Sequence, residues 1–257
     1  MSEAPPVLAV DLALKHLRDF GVALVSRVGR RLEAKLLRWH STTPPTAAEV
    51  ADRILQIAEQ HSVNIILLDG TQAWKDEDNG LLHCRVCEKE MHTPSKTGPP
   101  GVCKPGNYLA FTEFSIGIFD ALAASGFPRL ADTPDRHHGR ACIETFPFRA
   151  WRSLGVSPLP SKARATSADI STRRGWLEHR FGLRCDVDPT HDELQALVSS
   201  LGGVALQERR TDHLAWAGTP PFLKAGTIRE GLLMIPKAPP EGGLSSPPLR
   251  PPNRHPP

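Results

Sequence analysis

Apolar positions fall into two kinds of run along this chain. Val7-Leu8-Ala9-Val10 and Val63-Asn64-Ile65-Ile66-Leu67-Leu68 are short, nearly unbroken stretches, closed by Asp11 and Asp69. Runs of that length suit buried strands. Pro6–Asp11 is predicted as a first strand, Asp19–Val25 as a second and the partly alternating Leu32–Trp39 as a third, with Gly29-Arg30-Arg31 as a turn. Together they describe a meander, a central strand with two antiparallel neighbours. The loop Thr42-Thr43-Pro44-Pro45-Thr46 ends in a helix cap. Apolar residues at 47, 50, 51, 54, 57 and 58 then mark a helix over Ala47–His61. A strand, a helix and the apolar run Val63–Leu68 make a crossover that sets Val63–Leu68 parallel to the first strand. Asp11 and Asp69 would then share the carboxyl edge, where open α/β sheets place ligands.

Beyond Asp69 the periodicity lapses. Residues 70–107 are polar and rich in Gly, Pro, Lys and Cys, and a connection that long is functional or mobile. Helices are predicted at Tyr108–Ala124, around Trp151, at Ser167–Phe181 and at Thr190–Leu206, with short strands at Arg140–Thr145 and Gly231–Pro236. From Ala238 the composition collapses to Pro, Gly, Ser and Arg, predicting a disordered tail over 238–257 after one domain spanning 6–237. No internal repeat is evident.

Composition narrows the class. Apolar residues are 40% and charged residues 23% of 257, ordinary for a globular domain. The formal net charge is +3 and the Lys and Arg residues are spread along the chain, which permits nucleic acid as a partner without arguing for it. No run approaches the ~18 apolar residues of a membrane helix, and the polar start does not resemble a signal peptide. Five cysteines, an odd number, suit a reducing cytoplasm. Nucleophile-elbow, Walker and dinucleotide-binding motifs are absent, against a serine hydrolase, a P-loop NTPase and a Rossmann dehydrogenase.

Two strand-end acids, Asp11 and Asp69, and a helix-start acid, Asp192, are candidates for one site. Each also has a plain reading. Asp is common in turns, and Asp192 would favour the helix dipole behind a Thr190 cap. Glu144 closes its strand and, on its residues alone, reads as pairing with Arg140 or Arg149. Lys162 either reaches a phosphate or is simply solvated. Cys84-x2-Cys87, with His83, His92 and Cys103, is half of a zinc site; without a second Cys pair, zinc at Cys84 and Cys87 is disfavoured against a flexible loop. Lys89, Lys96 and Lys104 of that loop could contact an anionic backbone. His137-His138 and His213 read as surface or loop residues.

Several pieces in order resemble the DUF429 family, a group of predicted nucleases with an RNase H-like fold. They are Val7-Leu8-Ala9-Val10-Asp11, Ile65-Ile66-Leu67-Leu68-Asp69-Gly70, Cys84-Arg85-Val86-Cys87-Glu88 with Thr93-Pro94, Ile143-Glu144-Thr145-Phe146-Pro147, His191-Asp192-Glu193-Leu194-Gln195-Ala196, and Glu230-Gly231 before Ile235-Pro236. The resemblance spans roughly 6–237. It implies an α/β fold with an RNase H-like mixed β-sheet flanked by helices. It also implies hydrolysis of phosphodiester bonds in nucleic acid with Mg²⁺ or Mn²⁺. Asp11 would bridge the metals, Asp69 and Asp192 would complete the ligand set, and Glu144 would be auxiliary. Hard cations want such oxygen donors. The chain departs from the pattern at Gln195, where a second helical acid is expected three residues past Asp192. Glu193 points about 100° away round the helix and is a poor substitute. The departure leaves open a non-catalytic nucleic-acid or protein-binding module on the same fold. Phosphotransfer to a small molecule is a third reading, with only Asp69-Gly70-Thr71 as its phosphate turn.

Overall fold

The computed structural model describes residues 4–132, 136–137 and 139–238. The tail beyond Ala238, and His138, lie outside the described residues. An eight-stranded mixed sheet carries helices on both faces. The first strands are β1 (Val7–Asp11), β2 (Gly21–Val28) and β3 (Arg31–Leu36). β2 runs antiparallel to both neighbours, so the expected meander forms. Helix α1 (Ala47–Gln60) starts at Thr46 in a capping box with Glu49 and leads to β4 (Ile65–Asp69), which is parallel to β1.

The segment expected to be a flexible loop is built. It contains α2 (Val86–Met91) and a small hairpin of β5 (Lys96–Thr97) and β6 (Cys103–Lys104). Buried polar side chains hold it, and these are invisible to periodicity. Then follow α3 (Leu109–Ala124), β7 (Ala141–Thr145) parallel to β4, α4 (Pro147–Ser153) and α5 (Ser167–Phe181). The chain continues through β8 (Leu183–Cys185), α6 (His191–Gln207), β9 (Leu214–Lys224) and β10 (Thr227–Pro236). The sheet order is β8-β3-β2-β1-β4-β7-β10-β9.

Alternation along β1 and β4 separates two cores. Leu8, Val10, Ile66 and Leu68 face α1 and α3, packing on Val50, Ile54, Ile118 and Phe119. Val7, Ala9, Ile65 and Leu67 face α6, packing among Leu194, Leu197, Val198 and Leu201. Burial on both faces explains why these strands read as continuous apolar runs. α6 is sandwiched, and nearly all its residues are buried.

β9 is not among the predicted strands, and it carries Gly218, Pro220 and Pro221, residue types that weaken a strand interior. It is the edge strand, and its two prolines fall at a bulge. Thr219 pairs with Gly231 and Phe222 with Arg229, so Pro220 and Pro221 together oppose Glu230. A bulge leaves residues off the ladder, where no N–H is needed.

The position of α6 depends on one glycine. Gly21 pairs with Asp11 across the β1–β2 ladder, and a Cβ at Gly21 would lie 2.0 Å from the backbone oxygen of Asp192. Backbone cannot swing aside as a side-chain tip can. Gly21→Ala should therefore cost about 1–3 kcal/mol in urea unfolding and push the first turn of α6 off the sheet. An unchanged midpoint would show that α6 is not seated there.

Candidate active site

The register of β1 and β4 pairs Asp11 directly with Asp69 at the carboxyl edge. By strand alternation both side chains fall on the Val7/Ala9 and Ile65/Leu67 face, the one α6 covers. Each keeps some solvent contact yet is hemmed in by protein. Side by side and desolvated, the two carboxyls can share one proton between them. Burial, then the neighbouring Asp69 and Asp192, hold the Asp11 carboxyl well above the ordinary range. Burial chiefly raises Asp69 to about 7; the hydrogen bond from Asp11 opposes the rise and Glu144 adds to it. Two carboxyls in contact cannot comfortably both ionise without a cation.

Asp192 occupies the first turn of α6. Thr190 caps that helix, its hydroxyl accepting from the Glu193 N–H at 3.3 Å. The Asp192 carboxylate accepts from His191 Nδ1 at 2.9 Å and from Lys162 Nζ. Lys162 also reaches Asp19 Oδ1 at 3.2 Å. Burial works to raise Asp192, but the bonds from His191 and Lys162 prevail and hold it below its usual range. His191 is raised by Asp192, and its Nε2 donates to the Pro160 carbonyl at 2.9 Å, so the ring favours its charged form.

The structure thus brings Asp11 and Asp69 into contact and Asp192 within electrostatic reach of Asp11, but Asp192 is already satisfied. Among the described residues no three His, Cys, Asp or Glu side chains are grouped to hold a metal ion. Lys162, offered two readings by the sequence, is an ion-paired neighbour of the site. His191 went unnoticed as a participant, although its adjacency to Asp192 was the available signal.

The remaining acids have other partners. Gln195 Oε1 accepts from the indole N–H of the buried Trp151 at 2.8 Å. A buried indole needs that acceptor. Glu193 is bound by Arg38, with contacts of 2.8 and 3.2 Å, and so is not turned toward the acid pair as a replacement. Glu144 pairs with neither Arg140 nor Arg149. Arg85 grips both its oxygens at 2.7 Å, and the Gln72 N–H donates to it at 3.1 Å. Arg85 also holds Glu88, whose carboxylate accepts from the Thr97 hydroxyl at 2.6 Å. This buried triad, with Arg85 fully inaccessible, fixes the 70–107 segment.

A cleft of about 230 Å³ runs from Asp69 and Gly70 past Glu144 and Thr145 to Tyr108, Phe111 and Phe146. Thr145 pairs with Asp69 across the β4–β7 ladder, and its buried hydroxyl oxygen has no partner in the protein. On the loop, Cys87 is buried in the core and its thiol is raised chiefly by burial. Cys103 Sγ lies 3.5 Å from Thr112 Oγ1, and His83 lies 3.0 Å from Lys104 Nζ. Lys96 donates to the carbonyls of Glu88 and Thr93, so of the three loop lysines only Lys89 carries no such contact among the described residues. Comparison of the chain with protein-family models, with curated proteins and with solved structures finds no match.

Proposed function

We infer that the protein is a divalent-metal-dependent phosphodiesterase acting on nucleic acid, on an RNase H-like sheet. The observation that carries this reading is the contact between two desolvated carboxyls, Asp11 and Asp69, at the carboxyl edge of parallel strands. The sheet supports the fold assignment, with β1 joined to an antiparallel meander on one side and to parallel β4 and β7 on the other.

The donor set fits Mg²⁺ or Mn²⁺ in part. Asp11 and Asp69 offer hard oxygens at one point, and the unpartnered Thr145 hydroxyl lies on the adjoining strand. Asp192 completes the set only if Lys162 yields. The Lys162 ammonium occupies the cationic place beside Asp192 and lowers the proton affinity of Asp11 through space. When bound, the cation would polarise the phosphodiester and stabilise the leaving oxygen. Asp11 and Asp69 would give up their shared proton and hold the ion. His191 would keep Asp192 ionised and oriented. Lys162, freed, would meet a phosphate oxygen. Water would supply the oxygen that joins phosphorus as the ester P–O bond breaks, its proton ending on the leaving oxygen or in solvent.

Incubation of the full chain with single- and double-stranded DNA and RNA in Mg²⁺ or Mn²⁺ tests this reading. Cleavage that Asp11→Asn abolishes is expected; no cleavage of any substrate sinks it. The role of Lys162 is tested separately. Lys162→Met should tighten Mn²⁺ binding at least about tenfold by calorimetry at low salt, because a unit charge near the ion is removed. Equal affinity would mean that Lys162 does not compete.

A second reading, a non-catalytic binding module, draws support from Gln195, tied to Trp151, and from the satisfied state of Asp192. Failure of Mn²⁺ to bind would favour it.

A further inference from the structure

Basic residues spread along the sequence converge at the opposite end of the molecule. α6 runs from the Asp11 edge, where its first turn sits on Gly21, to the start of β1, where Gly203 packs on Val7 and Ile65. Its 17 residues therefore separate the two edges by about 25 Å. At the far edge a cleft of about 360 Å³ opens between the β2–β3 turn, the ends of α5 and α6, and the end of β10. Arg27, Arg30, Arg180, Arg210 and Lys237 line it, with Glu208 the single acid.

Five positive charges against one negative exceed the +3 of the whole chain, so the remainder carries a slight negative balance. The excess basic charge is concentrated here. Glu208 is taken by Arg27, with a contact of 3.1 Å from Nη2 to Oε2, and by Arg210 at 3.5 Å. Arg210 also donates to the His213 ring at 2.7 Å, and burial with Arg210 keeps His213 below its ordinary range, hence neutral at pH 7. Asp212, at 3.5 Å from His213, faces the same group. Among the described residues Arg30, Arg180 and Lys237 meet no acid within ion-pair distance. The carbonyl ends of α5 and α6 offset part of this charge, since helix C-termini carry a partial negative charge. That effect accounts for basic residues in the last helical turns. It does not account for Arg27 near the end of β2, for Arg30 on the β2–β3 turn, or for Lys237 past a strand.

We propose that this cleft is a second nucleic-acid site, which grips phosphates of the backbone through Arg30, Arg180 and Lys237 about 25 Å from the acid pair. Arg27 and Arg210 are held in place by Glu208 and shape its floor. Guanidinium groups suit phosphate oxygens, and a patch of this kind is the electrostatic footprint of backbone binding. The choice of nucleic acid among phosphate-bearing ligands rests on the phosphodiesterase reading.

The test is fluorescence anisotropy of labelled 20-mers, as single-stranded DNA, duplex DNA and single-stranded RNA, with the full chain in EDTA. It uses neither metal nor turnover, so it fails or succeeds separately from cleavage. Arg30→Gln/Arg180→Gln/Lys237→Gln should weaken binding at least about tenfold and flatten the slope of log affinity against log salt by about 2. Its melting should match the parent, since none of the three is ion-paired. Should the triple variant melt early, Arg30→Gln alone, at an exposed turn, should still weaken binding a few-fold. Absence of binding by the parent, or equal affinity and equal salt slope in the variants, overturns the proposal.

Discussion

Asp11→Asn is expected to melt higher than the parent at about pH 8 and to cleave no phosphodiester. Both effects follow from the carboxyl pair. Asp69 titrates near 7 in the folded state and Asp11 is raised well above its usual value. In the unfolded chain both titrate near 4. Between about pH 4 and 7 the folded state therefore keeps protons that the unfolded chain has released, and stability falls as pH rises through that window. The loss continues above 7 until Asp11 ionises. At about 1.4 kcal/mol per unit, the rise of Asp69 alone corresponds to roughly 4 kcal/mol at alkaline pH, and the rise of Asp11 adds to it. Asn cannot ionise and still offers Asp69 a donor, so the variant should lose the part of this pH dependence that Asp11 carries and keep the part that burial of Asp69 carries. Mn²⁺ should raise the parent's melting temperature more at about pH 8 than at about pH 5, because the ion displaces protons. The variant should lose that rise and at least about 100-fold in cleavage, given the several kcal/mol that metal-borne charge stabilisation supplies. Melting over this pH range with and without Mn²⁺ decides it. A parent whose melting ignores both pH and Mn²⁺ would falsify the carboxyl-pair account.

The largest stability loss should come from a residue that touches no proposed ligand. Arg85→Met leaves Glu144 and Glu88 buried without their counter-charge. Breaking a buried pair from one side costs about 3–5 kcal/mol, since the remaining charges stay desolvated. Urea unfolding should show a loss of this size, ahead of that from Gly21→Ala. The triple variant Arg85→Met/Glu88→Gln/Glu144→Gln should recover part of it, because neutral amides are cheaper to bury than orphaned carboxylates. A triple variant no more stable than Arg85→Met would place the energy in packing instead of charge.

Where apolar runs decide the structure, the sequence was readable. The meander, the crossover and the parallel pairing of β1 with β4 follow from covered strands and one amphipathic helix. Asp11 and Asp69 could be placed together for the same reason: one register fixes both. The polar architecture was not readable in this way. Glu144 finds Arg85 across 59 positions, and no local spacing signals such a partner. The 70–107 segment reads as loop because its order comes from the Arg85–Glu88–Glu144 triad and from Glu230, whose carboxylate accepts from Asp76, Asn79 and Val86. Gln195 reads as a missing ligand, whereas in the fold it serves an indole. β9 was not predicted, and its prolines are tolerated because they fall on an edge and at a bulge. The concentration of basic residues is a property of topology, assembled from a turn, two helix ends and a strand end.

The prolines of β9 also bear on how copies of this protein behave beside one another. An outermost strand offers unpaired donors and acceptors on which another chain can template itself, the usual route to fibrous association. Two adjacent prolines delete two successive donors, so in an alternating ladder one of the deleted donors faces outward whichever way the alternation falls. At the other margin β8 is only three residues long, too short to template much. Both margins of an eight-stranded sheet are thereby blunted, and self-association by strand addition is suppressed. Replacing the two prolines to straighten β9 would remove one of those guards and create an aggregation hazard.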